Sequence, residues 1–469
     1  MKTIAIVGGG ITGLSAAYYL QQQIIDRKLS AQIVLIEADD HLGGKINTVH
    51  RNGFAMETGA DSLVARKSNV APLIDELGLR DQVVYNATGK SYIFTDGQLK
   101  LIPEDAVFGI PLSIESLATS DLISAGGKVE ALKDFYTTNE SFTINDSVGS
   151  FLEAFLGKEI VEKQIAPVLS GVYSGKLNDL TIASTLPYLL EYKNKYGSII
   201  QGLAANKATF KSTGDKKFLS FKEGASTLIY ALEQHLLSGN AVEIITGVAA
   251  DKIEQVEGSG ARYRVALSNG RTIPADYVVL STPQSAAQSL LKDSALDEDF
   301  SQFLDSSMIS VYLGFDIRDE ELPVDGTGFI VADSDELLCN ASTWTSRKWT
   351  HTSEQGHFLV RMFYKSTVPD FDKLLELSEE ELMRIALKDI VQSLGIEREP
   401  VTYEVTKWIH AIPNYHISHH QLVESLESKM KQSYPGIYLA GCSYYGVGIP
   451  DCIANGKEVA EGIAEQLQG

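Results

Sequence analysis

Cysteine is scarce, with three in 469 residues: Cys339, Cys442 and Cys452. They are too few and too scattered for a disulfide framework or a metal cage, and free thiols in a reducing cytoplasm are the expectation. Long apolar runs are also lacking, so no bilayer-spanning helix is expected. The amino terminus passes from Met1-Lys2-Thr3 straight into a short apolar stretch and then glycines that read as a turn, which is not the build of a signal peptide. Positive charge is in deficit: 40 basic residues stand against 61 acidic ones, for a net charge of −21. That excludes the basic stripe of a nucleic-acid partner and disfavours broad attachment to anionic lipid. Internal repeats and low-complexity tracts are absent too.

What is present is the mix of a globular protein, 44% hydrophobic and 22% charged, in a chain long enough for two or three packed domains. Residues 2–7 read as a buried parallel strand, 13–20 as a helix of small residues, and 33–36 as a second strand ending at Glu37, together a β-α-β unit. From about 103 to 203 the pattern turns helical, as in 148–156 and 160–169, with apolar residues three and four apart. Strands return at 242–245, 263–267 and 277–280, with Asn269-Gly270 as a hairpin turn because both residues tolerate positive φ. Stretches 308–316 and 357–364 suggest a second sheet, and 379–394 an amphipathic helix stopped by Gly395. A strand at 437–440, a glycine-rich turn and a helix over 450–467 close the chain.

Gly8-Gly9-Gly10-Ile11-Thr12-Gly13 satisfies G-x-G-x-x-G directly after a strand and before a helix. Gly8 makes the tight turn, Gly10 admits a pyrophosphate close to the backbone, and Gly13 lets the helix pack closely. The helix start offers free N–H groups and a positive dipole to phosphates. Glu37 follows somewhat beyond the usual spacing of about 20 residues, where it can accept from a ribose 2′-OH; a helix extended through 21–26 takes up the excess. After Glu37-Ala38 come Leu42-Gly43-Gly44-Lys45 and Thr58-Gly59-Ala60-Asp61-Ser62. Two glycines beside a cation, then a second glycine-bearing segment, suit a longer pyrophosphate and ribityl chain. A nicotinamide dinucleotide has no need of them.

These residues resemble the amine oxidase and protoporphyrinogen oxidase superfamily of FAD enzymes, whose pattern includes E-A-x-x-x-x-G-G-[RK]. The run from Gly441 through Gly446-Val447-Gly448-Ile449-Pro450-Asp451-Cys452 to Gly456 resembles the superfamily segment that passes the flavin ring. Pro450 suits a first helical turn, and a helix amino terminus there can stabilise a reduced, anionic flavin. The resemblance implies an α/β (α+β overall) architecture, a Rossmann-type FAD domain (1–57, 222–297, 415–469) with an inserted substrate-binding sheet domain (58–99, 206–221, 298–414) and a helical domain (100–205). It implies non-covalent FAD contacts at Gly8, Gly9, Gly10, Ile11, Thr12, Gly13, Glu37, Ala38, Gly44, Lys45, Gly59, Ala60, Asp61, Ser62, Val248, Trp408, Val447, Gly448 and Ile449. For Trp408 a place in the core is the alternative.

Within that superfamily the chain is most similar to the porphyrinogen oxidases, through Gly59 to Ser62 with Arg66-Lys67, Leu169-Ser-Gly171-Val-Tyr173-Ser-Gly175, Gly326-Thr-Gly328-Phe329 and the 446–452 run. Ala60 stands where members commonly carry proline. Length and the Lys67 region resemble the Gram-positive branch, which oxidises coproporphyrinogen III and often accepts protoporphyrinogen IX. The reaction so implied removes six electrons in three rounds: flavin N5 takes a hydride from a bridge carbon, and dioxygen restores the flavin and leaves peroxide. No catalytic side chain is needed beyond positioning. Lys67 and Arg66 are expected to hold propionates, Gly171 to offer backbone, and Phe363 to pack on a pyrrole, the alternatives being a solvated lysine and a core phenylalanine. A contact with ferrochelatase and peripheral contact with a membrane stay open. His416, His419 and His420 lack carboxylate or cysteine partners at ligand spacing, so no metal is expected. Cys442 lies inside the strand-end turn, not upstream where covalent flavin attachment occurs in monoamine oxidases. The rivals are an amine oxidase, for which Tyr444 and Tyr445 speak, a carotenoid desaturase, or a non-catalytic flavin-binding partner of haem-pathway enzymes.

Overall fold

The computed structural model describes residues 1–87, 89–172, 176–183, 185–210, 217–258, 260–332, 337–416 and 418–468, with only the backbone for 170–172. Five strands form a parallel sheet in the order Val242–Ile245, Ala31–Ile36, Lys2–Val7, Tyr277–Leu280, Ile437–Leu439. Alternate residues serve opposite faces. Ile4, Ile6, Ile33 and Leu35 meet the helices Ile11–Asp26, Ser226–Ser238 and Ile449–Gln468, whereas Ala5, Val7, Val34 and Ile36 meet a second layer. Burial on both faces is why these strands read as unbroken apolar runs. The second layer holds the antiparallel strands Ala250–Gln255, Tyr263–Leu267 and Thr272–Ala275 and the helix His419–Ser433. Here the hairpin turn departs from expectation. Gly270 has φ +83°, but Asn269 does not enter the left-handed region; its side chain instead accepts from Arg271 N. One positive-φ residue suffices because the turn carries a bulge.

Strand order reverses between Lys2–Val7 and Tyr277–Leu280, and their carboxyl ends carry Gly8 and Ser281. In open α/β sheets such a crevice is where ligands bind. Beyond it stands a seven-stranded sheet in the order Thr402–Asn414, Leu304–Arg318, His357–Lys365, Ala341–Trp344, Gly328–Val331, Ser91–Thr95, Gln98–Leu101. The helix Glu379–Leu394 packs on it, started by a Ser378/Glu381 capping box and ended by Gly395 at φ +68°. Its Asp389 is buried and accepts from Tyr364 Oη, Cys339 N and Leu338 N.

The helical block has its own core, which includes Phe151, Leu152, Ile160, Ile165 and Leu189. Within 160–169 the turn Val161–Ile165 is π-helical. At its centre Lys193 and Asp134, both side chains fully buried, pair at 2.9 Å. Asp134 also accepts from Ser198 Oγ, Ile199 N and Ile200 N, and Lys193 donates to Gly197 O. A buried pair this well satisfied fixes the meeting of several helices, and losing one partner would strand the other charge. Among the described residues no helix is long and apolar enough to cross a membrane.

Candidate functional site

The crevice opens into a cavity of about 1160 Å³, above the roughly 300–1,000 Å³ usual for small-molecule sites. Its floor is main chain. Gly8 takes φ +105°, and a Cβ there would lie 2.8 Å from Ser281 O; one on Gly13 would lie 2.0 Å from Gly8 O. Both glycines are imposed by backbone packing. Gly10 differs, for a Cβ on it would meet nothing within 4 Å. It faces the cavity and precedes the helix Ile11–Asp26, whose start has no side-chain cap. Uncapped N–H groups on an open glycine turn make an anion cradle.

Glu37 fixes this turn. Its Oε2 accepts from Gly9 N at 2.6 Å and its Oε1 from Asp39 N at 2.9 Å, while the residue lines the cavity with Ala38. The second glycine segment docks on the first, since Gly43 N donates to Gly9 O at 2.9 Å. Gly44 (φ +56°) and Lys45 then face the cavity, bringing the expected cation beside the phosphate cradle.

Thr58, Gly59 and Ala60 form the next wall. Arg361, 3% exposed, holds it from behind, donating to Gly59 O (3.0 Å), Thr58 O (3.1 Å) and Ser310 Oγ (2.6 Å). Trp408 lines the cavity and donates Nε1 to Thr58 O at 2.9 Å. Just before, Glu57 lies buried and accepts from Ala225 N and Thr48 Oγ1. Burial pushes its carboxyl up to about 7, against the lowering effect of those donors.

The carboxyl-terminal segment closes the cavity with Gly441, Cys442, Val447 and Ile449. Tyr415 braces it, donating to Cys442 O at 2.7 Å and accepting from Gly446 N at 2.6 Å. Asn455 Oδ1 accepts from Gly441 N.

The flavin-containing amine oxidoreductase family model matches residues 11–464. The chain belongs to this family. A flavin is therefore its cofactor. It is 34% identical to coproporphyrinogen III oxidase of Bacillus subtilis (97% of this chain, 96% of that one) and 33% identical to that of Staphylococcus aureus (99% and 100%). A crystal structure from Exiguobacterium sp. 255-15, provisionally named a protoporphyrinogen oxidase, is 34% identical with a TM-score of 0.88 over 99% of each chain. A reduced UDP-galactopyranose mutase shares the fold at 15% identity and a TM-score of 0.72.

In this flavoprotein several residues expected at the cofactor stand beside the cavity rather than on its lining. Gly9 and Gly13 serve through packing, as their neighbours show. Asp61 turns away to Lys348 (3.2 Å) and Ser62 Oγ (2.6 Å). Burial would raise its carboxyl, but Lys348, Ser62 and Arg361 outweigh that and hold it low. Val248 donates its N–H to Glu37 O and packs into the layer behind the sheet, leaving Ala249 and Ala250 at the cavity. Gly448 lies against Asp451, between the lining residues Val447 and Ile449.

On the expected substrate side, Lys67 is half-exposed and paired with Asp451 at 2.7 Å. Asn69 donates to Pro450 O at 2.6 Å, so the 66–69 segment is tied to the last helix; Arg66 is exposed. Phe363 lies in the strand His357–Lys365 with the Arg361 guanidinium 4.8 Å from its ring centre, off the cavity lining. Gly171 falls in the helix Ala166–Val172, and its surroundings lie outside the described residues, as do 173–175 of the same motif. Tyr444 is buried against Phe303 and Tyr445 bonds Glu427, so neither tyrosine forms a cage on the cavity. His419 stacks on Tyr415 at 3.8 Å, His416 reaches Gln302 O and His420 pairs with Glu424.

Sequence reading missed Arg361, Tyr415 and Glu57. Arg361 left a signal, being a lone charge inside the apolar run Phe358-Leu-Val-Arg-Met-Phe-Tyr364. It also missed that Cys442 and Cys452 are neighbours in one wall: the turn and first helical turn between them fold back, so both line the cavity, and the Cys452 thiol donates to Gly446 O at 3.5 Å.

Proposed function

We propose that this flavoprotein oxidises coproporphyrinogen III to coproporphyrin III in the cytoplasm, using non-covalent FAD and dioxygen. The observation that carries the reading is end-to-end similarity to two coproporphyrinogen III oxidases at 33% and 34% identity. The cavity suits the larger of the flavin cofactors. The open Gly10 turn with Ile11 and Thr12 would take the pyrophosphate, Glu37 with Ala38 the adenosine ribose, and Gly44, Lys45, Gly59 and Ala60 the ribityl chain. Val447, Gly448 and Ile449 would lie along the ring, with Trp408 opposite. Asp61, Ser62 and Val248 would act by holding these walls. On this reading the three stretches that build the parallel sheet form the FAD domain.

Bound FAD would supply hydride acceptance from a bridge carbon and electron delivery to dioxygen. The chain's own part is positional. Arg361 and Trp408 hold the Thr58 and Gly59 carbonyls in place along this wall. Lys67 and Arg66 would meet propionates at the rim, and Lys67 would exchange Asp451 for a substrate carboxylate. Protoporphyrinogen IX, with fewer carboxylates, would be the poorer substrate; plant protoporphyrinogen oxidases are related at 24% identity. Amine oxidation is disfavoured by the placement of Tyr444 and Tyr445.

The test is aerobic turnover of the purified protein with coproporphyrinogen III, protoporphyrinogen IX and a panel of primary amines, read by porphyrin fluorescence and peroxide release. The reading expects the highest kcat/KM for coproporphyrinogen III and none for amines. Bound flavin without porphyrinogen turnover would favour a non-catalytic partner.

A further inference from the structure

Two thiols with no part in the chemistry above meet the Lys45 ammonium in one corner of the flavin cavity. Cys442 opens the turn after the strand Ile437–Leu439, is partly exposed, and lines the cavity. Lys45 Nζ lies 3.4 Å from its sulfur. Cys452, in the first turn of the helix Ile449–Gln468, also lines the cavity beside it, its thiol donating to Gly446 O at 3.5 Å. Tyr415 pins the Cys442 carbonyl and so the backbone that carries the sulfur. The remaining cysteine, Cys339, is buried in the other sheet domain beside Asp389.

We infer that Cys442 is a modification site for hydroperoxides, with Cys452 as its resolving thiol, giving a reversible disulfide in the wall of the flavin cavity. In the first step the Cys442 thiolate attacks a peroxide oxygen. The O–O bond breaks, an S–O bond forms, sulfur loses two electrons to the peroxide, and hydroxide leaves. In the second step the Cys452 sulfur attacks the Cys442 sulfenic acid, the S–S bond forms, and water departs with the Cys452 proton. A small dithiol reverses the result by exchange.

The electrostatics agree with this division of labour. The neighbouring Cys452 thiol and the Lys45 ammonium at 3.4 Å, against burial, hold Cys442 below the ordinary thiol range. Cys452 is pushed the other way, by Cys442 and by burial, and its thiol donates to Gly446 O at 3.5 Å. Cys339 is pushed up as well, by burial and by Asp389, and so is an internal control of low reactivity. Only the natural source of peroxide rests on the proposed oxidase reaction; the thiol chemistry requires no turnover.

The experiment treats the full-length, flavin-loaded protein with hydrogen peroxide in the absence of substrate, then maps cysteine peptides by mass spectrometry. The wild type is expected to yield a Cys442–Cys452 linked peptide lacking two hydrogens, lost again on dithiothreitol treatment. Cys452→Ser should trap a dimedone adduct on Cys442 at least about tenfold faster than on Cys339, and Cys442→Ser should give neither product. Flavin content and circular dichroism of both variants verify folding. Labelling of Cys339 as fast as Cys442, or an unmodified Cys442 in folded Cys452→Ser, would overturn the assignment. Failure of porphyrinogen turnover would leave this outcome unchanged, so the two readings fall separately.

Discussion

On the parallel-sheet side of the cavity, Gly8, Gly10 and Gly44 present main chain; on the side of the seven-stranded sheet, Met308, Thr406 and Trp408 present side chains. The glycine wall is set by contacts of backbone with backbone, such as Gly13 against Gly8 O. The opposite wall is set by long side chains reaching across the fold, such as Arg361 to Thr58 and Gly59, some 300 positions away in sequence. Where backbone meets backbone, as at Gly8 and Gly13, no added atom is tolerated, so the wall should fail abruptly there. One of side chains loses one hydrogen bond at a time and should fail by degrees.

The harshest way to break this comparison is at Gly13. Gly13→Ala should cost about 3 kcal/mol or more in urea unfolding and abolish flavin retention, because the atoms it meets are fixed. Gly10→Ala, in open space, should leave apo stability within about 1 kcal/mol yet weaken flavin binding on the order of tenfold. Equal destabilisation by the two would show that the glycines are not divided into packing and binding roles.

On the opposite wall, Arg361→Met leaves the Gly59 carbonyl without its donor and Thr58 O with Trp408 alone, and should cost about 2–3 kcal/mol. Trp408→Phe removes one hydrogen bond and should cost about 1 kcal/mol, with flavin affinity falling a few-fold. Losses of the Gly13→Ala size in Trp408→Phe would contradict gradual failure.

Glu57 lies where the walls meet, and it titrates. Its folded-state value is raised to about 7 from an ordinary 4.5, so the folded chain keeps a proton that the unfolded chain releases. Its contribution is full below about 4.5, and stability falls as pH rises to about 7, by no more than about 3 kcal/mol. Glu57→Gln should flatten that part of the stability–pH profile; an unchanged slope would show that Glu57 ionises normally. The smallest effect is expected at the rim. Lys67→Ala should raise KM for coproporphyrinogen III a few-fold and more than for protoporphyrinogen IX, with kcat held. Equal shifts would show that Lys67 reads no propionate.

The same contrast explains what could be read in advance. Gly8, Gly10 and Gly13 were legible because steric need is written in residue type and short spacing. The Gly395 stop was legible for the same reason, and the helix it ends runs 379–394. Asp61 was expected at the cofactor but turns to Lys348, a partner that no local pattern announces. Tyr415 was missed, because the partners its hydroxyl joins, Cys442 O and Gly446 N, lie far along the chain. Cys442 and Cys452 read as scattered because a sequence does not show that a turn and a helix start bring them together.

The most direct test of the account is anaerobic mixing of the flavin-loaded protein with coproporphyrinogen III, followed by flavin absorbance and then admission of air. The account predicts bleaching of the flavin band by substrate alone, and porphyrin fluorescence with recovery of the band once air enters. A flavin band that stays unchanged with coproporphyrinogen III, in protein whose bound FAD is released intact by acid, would contradict it.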